Sequence, residues 1–209
     1  MQGLPWLQHG FGTRLSQDWP PPGLVITAKQ IHSDRVLIAN AASDGIVGEG
    51  DALITSQPGT LVAIRTADCL PILIADPGRR AVAAIHAGWR GTVAHISSLT
   101  VEKLSAAFGC RPSDLIAVVG PGIGECCFEV GSDVATQFET LFPERDDLGD
   151  RTRISLAEAN RRQLREAGIP NEQITVVDTC TCCGGEEFHS YRRDGHAAGR
   201  MVSAVGIRT

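Results

Sequence analysis

The 209-residue sequence predicts an α+β fold: a single domain, residues 1–209, of mixed β-sheets flanked by helices. Three observations carry that expectation. Short apolar runs rich in β-branched residues crowd the first half of the chain. Helical patterns enter only beyond Gly91, and strand-like runs return at the C-terminal end. That arrangement argues for one α+β domain with mixed sheets. At 43% hydrophobic residues the chain can also bury a substantial core.

The strand runs are LVITAKQIH (24–32), RVLIA (35–39), DALIT (51–55), TLVAIRTADC (60–69), PILIAD (71–76) and AVAAIH (81–86). DGIVGEG, QPG and DPG read as the turns between them. TVAHISSLTVEKLSAAFG (92–109) sets Val93, Ile96, Leu99, Leu104 and Phe108 roughly on one face and ends on a capping Gly109. LIAVVG (115–120) is a buried strand, and a helix is expected around DVATQFETLF. In SLAEANRRQLREAG, Ser155 and Glu158 form a capping box and Gly168 stops the helix. The acidic PERDDLGDRTR (143–153) reads as a mobile surface loop; QITVVDTC (173–180) and RMVSAVGIR (200–208) read as strands.

Net charge is −5 and no Lys/Arg-rich block occurs, which argues against nucleic-acid binding. No apolar run approaches the length of a membrane span, and MQGLPWLQHGFGTR lacks the basic start and apolar run of an export signal. A cytoplasmic monomer acting on small molecules is expected. Seven cysteines, an odd number without an export signal, point to reduced thiols or metal ligands and not to a disulfide framework.

A hairpin centred on Pro77-Gly78 would set Asp76 opposite Arg79 and, counting outward, Cys69 opposite His86. Directly opposed side chains are close enough to share one metal ion. Proline suits neither two-residue hairpin turn, so the count requires a symmetric longer loop. A catalytic zinc takes three protein ligands and one open position. His32, at the end of its own strand run, is the favoured third ligand; spacing leaves His189 open as the alternative, and His95 reads as structural within a helix. Next along, GWRGT leads into a helix N-terminus. Arg90 and the backbone at Gly91 could hold an anion there, or Gly88 and Gly91 could simply make a tight turn.

HGFGTRLS, KQIHSDRV, GDALIT, RTADCLPILIAD, AAIHAGWRGT, VVGPGIGECCFEVG, DTCTCC and FHSYRRDGHAAGRMVSAV run in order over nearly the whole chain. Together they resemble the YfiH-type laccase-domain, or polyphenol-oxidase-like, family, which includes the mammalian protein FAMIN. The resemblance implies an α+β fold shared with some cysteine-dependent toxin domains. It implies a zinc site at His32, Cys69 and His86. It also implies purine nucleoside phosphorylase activity, in which phosphate cleaves adenosine, inosine, guanosine or methylthioadenosine to base and ribose 1-phosphate, with adenosine deamination to inosine as a further activity. Arg14 matches a functional arginine and is the first choice for phosphate, with Arg90 and the helix N-terminus second.

For deamination, a zinc-activated water would attack the purine at C6; the H-x-E with P-C-x-x-C signature of nucleobase deaminases is absent. Asp68 either supports a zinc-bound histidine or protonates the leaving base, or merely caps a turn. Asp51 and Arg65 read as structural, and Arg192 and Arg193 as bracing surface or loop. Cys126-Cys127 and the DTCTCC run depart from the usual pattern. Cys180 and Cys183 have CxxC spacing, but adjacent cysteines are not a second such pair, so free buried thiols are favoured over a second metal site. The alternatives are a copper-dependent polyphenol oxidase, disfavoured by six histidines with no His-x-His, a metal-free hydrolase with Cys69 as nucleophile and His86 as base, and a closed, non-catalytic zinc module.

Overall fold

The computed structural model describes residues 1, 3–21, 23–40 and 45–209. Its strands form two large sheets and one small one. The first has the order β1-β13-β6-β2-β4, built from β1 (Leu7–Phe11), β2 (Leu24–Lys29), β4 (Ile46–Glu49), β6 (Thr60–Thr66) and β13 (Met201–Ile207). The second has the order β12-β9-β7-β8-β5-β3, built from β3 (Val36–Ile38), β5 (Ala52–Thr55), β7 (Leu70–Asp76), β8 (Ala81–Ala87), β9 (Ile116–Val119) and β12 (Ile174–Val176). A two-stranded ribbon joins β10 (Glu129–Val130) to β11 (Thr152–Arg153). The helices are α1 (Trp89–Val93), α2 (Ile96–Phe108), α3 (Ser132–Ala135), α4 (Leu156–Glu166) and α5 (Tyr191–Asp194).

Both large sheets are mixed, as expected: β2 runs parallel to β4 and β6, β3 to β5 and β12 to β9, whereas the β7–β8, β6–β13 and β1–β13 pairs are antiparallel. Every residue of β7 and β8 is buried, which explains their unbroken apolar runs. One face, with Leu73, Ala75, Val82 and Ala84, packs on Val62, Ile64, Val205 and Ile207 of the first sheet. The other face, with Ile72, Ile74, Ala83 and Ile85, packs on Ile96, Val101 and Leu104 of α2 and on Leu156, Ala159 and Leu164 of α4. The result is a sheet–sheet–helix sandwich.

Several boundaries differ from the sequence reading. The turn read over DGIVGEG contains β4, with Asp44 lying outside the described residues, and β1 was not anticipated at all. The helix expected over 92–109 is broken. α1 stops before Ala94, His95 adopts a left-handed φ of 61°, and α2 starts at Ile96. His95 is therefore a half-buried cap between two helices. Gly109 does close α2 in the left-handed conformation, and Ser155 Oγ does accept the Glu158 N–H at the start of α4. The helix expected around DVATQFETLF shrinks to α3 and one 3₁₀ turn. PERDDLGDRTR is tied down rather than mobile: Leu148 is buried, and Arg145 binds Asp147 and the Arg153 carbonyl.

The break between α1 and α2 is held by buried polar groups. Asn160 of α4 donates to Thr92 Oγ1 at 2.9 Å and accepts from Ser97 Oγ at 2.7 Å, and the Gln163 amide donates to the Thr92 carbonyl at 2.6 Å. Asn160→Ala leaves the buried Thr92 and Ser97 hydroxyls without these partners. The expected loss is about 2–3 kcal/mol of stability in urea unfolding.

Candidate functional site

The site lies where the two large sheets part, at the end of β8 and the start of β7. Asp76 pairs with Ala81 across a four-residue loop, Pro77 to Arg80, so His86 faces Pro71 and not Cys69. The expected register is therefore corrected by two positions. The cause is the loop. Asp76 Oδ1 accepts the N–H groups of Gly78 and Arg79, and Arg80 takes a φ of 49°, so the turn is not centred on Pro77-Gly78. A two-residue shift keeps the side-chain face, because strand periodicity is two. Cys69 thus remains on the His86 face as a diagonal neighbour.

His32, Cys69 and His86 converge, their ligand atoms all within 4.8 Å of one another. The rings of His32 and His86 meet edge-on with centroids 4.9 Å apart. β2 ends at Lys29, three residues short of the predicted strand end, because the chain then wraps around Asp51. The carboxylate of Asp51 accepts the N–H groups of Ile31, His32 and Ser33 and the Ser33 hydroxyl. That nest holds His32 at a φ of 58°, an uncommon conformation for a residue with a side chain. The Gln30 amide anchors the same loop by exchanging two 2.8 Å hydrogen bonds with the backbone of Arg65.

Asp51 was read as structural, yet it is the partner of His86: Oδ1 lies 2.8 Å from Nδ1, and both side chains are buried. Nδ1 is thereby occupied, which leaves Nε2 for a ligand, the arrangement that orients metal-binding imidazoles. Burial pushes the Asp51 carboxyl up, but His86 and Ser33 outweigh it and hold the group well below the usual carboxylate range. Burial likewise opposes charge on His86, and Asp51 with Cys69 overrides it, raising the imidazole to about 9. Burial raises the Cys69 thiol, but hydrogen bonds to His32 and His86 pull it down to about 6. A signal for Asp51 did exist in the β5–β8 register. Ala52 pairs with Ile85, which sets Asp51 beside His86, but that pairing spans two intervening strands.

Gly88 faces the trio. A Cβ there would come within 3.0 Å of Cys69 Sγ and 3.2 Å of the His32 ring. Its φ of −75° and ψ of 171° suit any residue, so only the site demands glycine. Gly88→Ala is expected to weaken any metal binding at the trio at least tenfold while changing stability by less than about 1 kcal/mol, read by metal titration with chelator competition and by thermal unfolding.

The trio opens into a cavity of about 970 Å³, within the size range of small-molecule sites. Trp89, Phe128, Tyr191 and Ile123 supply apolar wall, and Arg65, Arg192 and Arg200 supply positive charge. Asp68 lines the cavity at a φ of 89° but touches neither histidine through a hydrogen bond. Its oxygens accept from Thr181 Oγ1 at 2.7 Å and from the Arg192 N–H at 2.6 Å, so it braces the wall. Arg192 and Arg193 make the expected bracing bonds, to the carbonyls of Cys127 and Glu129 and of Thr181 and Cys182, and Arg192 also forms cavity wall.

The other expected anion groups stand elsewhere. Arg14 donates to the Gly185 carbonyl, and its charge helps to lower the His189 pKa, after burial; His189 packs against Gly199 and lies outside the trio. Arg90 is exposed and stacks on Trp89 at 4.4 Å, and Gly91 is buried within α1 against the Ser33 carbonyl. The cysteine expectation also changes. Cys126 and Cys183 are exposed, and the thiols of Cys126, Cys127, Cys180 and Cys183 gather in a second cluster.

Residues 13–208 match the family model described as multi-copper polyphenol oxidoreductase laccase. The chain belongs to this laccase-like, YfiH-type family. A relative from Deinococcus radiodurans named purine nucleoside phosphorylase is 42% identical over 185 residues, which cover 85% of this chain and 68% of that protein. A second of that name, from Bacteroides thetaiotaomicron, is 40% identical, and the match spans 60% of its length. A protein named adenosine deaminase RL5, from an unknown prokaryote, is 33% identical over 87% of this chain and 74% of its own. Among solved structures, YlmD from Geobacillus stearothermophilus superposes with a TM-score of 0.85 at 34% identity, covering 90% of this chain and 74% of that one. The YfiH protein of Bacillus licheniformis gives 0.88 at 29% identity, covering 97% and 93%. The α+β expectation is thus met by both the topology and its neighbours. Among the described residues, no helix is long and apolar enough to cross a membrane.

Proposed function

We propose that this chain is a zinc-dependent purine nucleoside phosphorylase that also deaminates adenosine. The observation that carries the reading is the His32–Cys69–His86 trio opening into a cavity lined with both aromatic and guanidinium groups. The relatives named for these two activities support it.

The donor set fits zinc: two imidazoles and one thiol, with the site backed by a carboxylate on His86 and left clear by Gly88. Zinc bound there supplies Lewis acidity and lowers the pKa of a coordinated water toward about 7. The remaining work falls to the chain itself. Trp89, Phe128 and Tyr191 offer faces for a purine, and stacking on aromatic rings holds a base without hydrogen bonds. Arg65, Arg192 and Arg200 line the cavity and attract phosphate, with Arg192 also bracing the wall. In phosphorolysis a phosphate oxygen bonds C1′, the C1′–N9 bond breaks and the base leaves with a proton. Positive side chains positioned around the attacking oxyanion hold it in line. Asp68 serves this reaction as a positioning residue, since both its oxygens already accept hydrogen bonds. Arg14 places its charge near His189, which packs on Gly199 of the cavity lining, and Arg90 extends the positive field at the Trp89 edge.

A metal-free cysteine hydrolase is the second reading, favoured by a Cys69 thiol near 6 beside an imidazole near 9. The copper oxidase reading is weaker: among the described residues, the groups that could hold a metal contain only His32 and His86 as imidazoles.

The test incubates metal-analysed protein with adenosine, with and without phosphate, and follows adenine and inosine by chromatography. Adenine formed only with phosphate, and inosine formed without it, are the expected results. Neither product, together with zinc retained in Cys69→Ala, overturns the proposal.

A further inference from the structure

We propose that Cys126, Cys127, Cys180 and Cys183 form a second metal site, a tetrathiolate that takes a soft divalent cation of the zinc type. Their four sulfurs all lie within 4.8 Å of one another. Three of the separations are 3.8 Å (126–127), 3.7 Å (126–183) and 3.5 Å (127–183). A tetrahedral zinc with Zn–S bonds of about 2.3 Å sets its sulfurs about 3.8 Å apart, so the thiols already stand near the edges of such a tetrahedron.

Two turns present the ligands. In the first, the N–H groups of Cys127 and Phe128 both reach back to the Gly124 carbonyl, and the tight turn lets adjacent cysteines aim the same way. In the second, Cys180 and Cys183 bracket a turn closed by the Gly184 N–H on the Cys180 carbonyl. The turns meet because the parallel β9–β12 pairing continues into a bridge between Gly122 and Cys180. Gly124 then donates its N–H to Cys180 Sγ at 3.2 Å, the kind of outer hydrogen bond that supports a thiolate ligand. A Cβ on Gly124 would fall 3.0 Å from Cys180 Cβ and 3.2 Å from Cys126 Sγ, so the backbone there is kept bare against the sulfurs, as at Gly88.

The site shares no residue with the catalytic trio, so it stands or falls separately from the proposed phosphorylase. Its effect is to staple the cavity wall: Thr181, between Cys180 and Cys183 in the second turn, holds Asp68, and the Cys127 carbonyl holds Arg192. Four mutually close thiols, two of them exposed, are otherwise open to oxidation.

The full chain, purified under reducing conditions with zinc, is expected to carry about two equivalents by plasma mass spectrometry. Cys69→Ser should lower this to about one, and Cys126→Ser/Cys183→Ser should independently do the same. Cys182→Ser, altering a neighbouring thiol outside the four, should leave both. Cobalt added to zinc-free Cys69→Ser should give sulfur-to-cobalt charge transfer and the intense d–d bands of tetrahedral thiolate coordination, a readout that does not require the double variant to fold. Wild-type protein whose metal is wholly lost in Cys69→Ser, cobalt bands lacking thiolate character, or a disulfide among the four in reduced preparations each overturns the proposal.

Discussion

Cys69→Ser is expected, on the proposed zinc phosphorylase reading, to empty the His32–His86 site of zinc and to lower phosphorolysis about a thousandfold, the loss of some 4 kcal/mol of transition-state stabilisation. Serine is nearly isosteric but its hydroxyl is not among the usual zinc ligands, and two imidazoles alone leave the ion weakly held. Fold loss is not the expected cause. His86 keeps its 2.8 Å contact to Asp51, and the strand hydrogen bonds of β7 and β8 do not involve the thiol. Metal-free wild type and the variant should therefore unfold within about 1 kcal/mol of each other. The same experiment separates zinc chemistry from a thiol nucleophile. Wild type stripped by a chelator should lose activity and regain it with zinc, whereas a cysteine hydrolase would keep its activity without metal. Arg65→Ala and Arg200→Ala should instead raise the KM for phosphate with zinc content unchanged.

The trio was legible because two short-range facts survived an error in register. Cys69 and His86 flank one hairpin, and a shift of two positions preserves the face each side chain occupies. Asp68, turned to a φ of 89°, then brings Cys69 round to His86. Strand identity was legible wherever both faces are buried, as in β7 and β8. Long-range pairing was not. β4 was lost because Gly48 and the exposed Ile46 and Glu49 resemble turn chemistry, and β1 because its partner β13 lies at the far end of the chain. The cysteine cluster depended on the β9–β12 pairing, which a linear count does not reveal. The cavity arginines were invisible for a similar reason. Arg65 is a strand residue, Arg192 is the second residue of a short helix and Arg200 precedes β13, and only the fold sets them around one space.

Asp51→Asn is expected to weaken zinc binding about 10- to 100-fold at pH 9, the range for losing the partner of a ligating histidine. An amide can satisfy His86 or part of the backbone nest, but its NH₂ would oppose the N–H groups of His32 and Ser33 that now share the carboxylate. A pH series distinguishes this from general damage. In metal-free wild type His86 is charged up to about 9 while Cys69 is already a thiolate above about 6, so zinc binding between these values displaces about one proton. Affinity should rise roughly tenfold per pH unit there, and calorimetry in buffers of different ionisation enthalpy should count the proton. Without the Asp51 charge, His86 falls back toward its ordinary range, so the proton release and the slope should both shrink. The linkage to stability has a definite sign. The raised His86 value stabilises the metal-free fold fully below 6.5 and is lost as pH climbs through about 9. The depressed Asp51 value stabilises it above 3.8 and is lost as pH falls below that. Asp51→Asn should therefore flatten the stability profile at both ends. A variant that lost stability equally at every pH, with the proton count unchanged, would mean that Asp51 only holds the loop and does not tune His86.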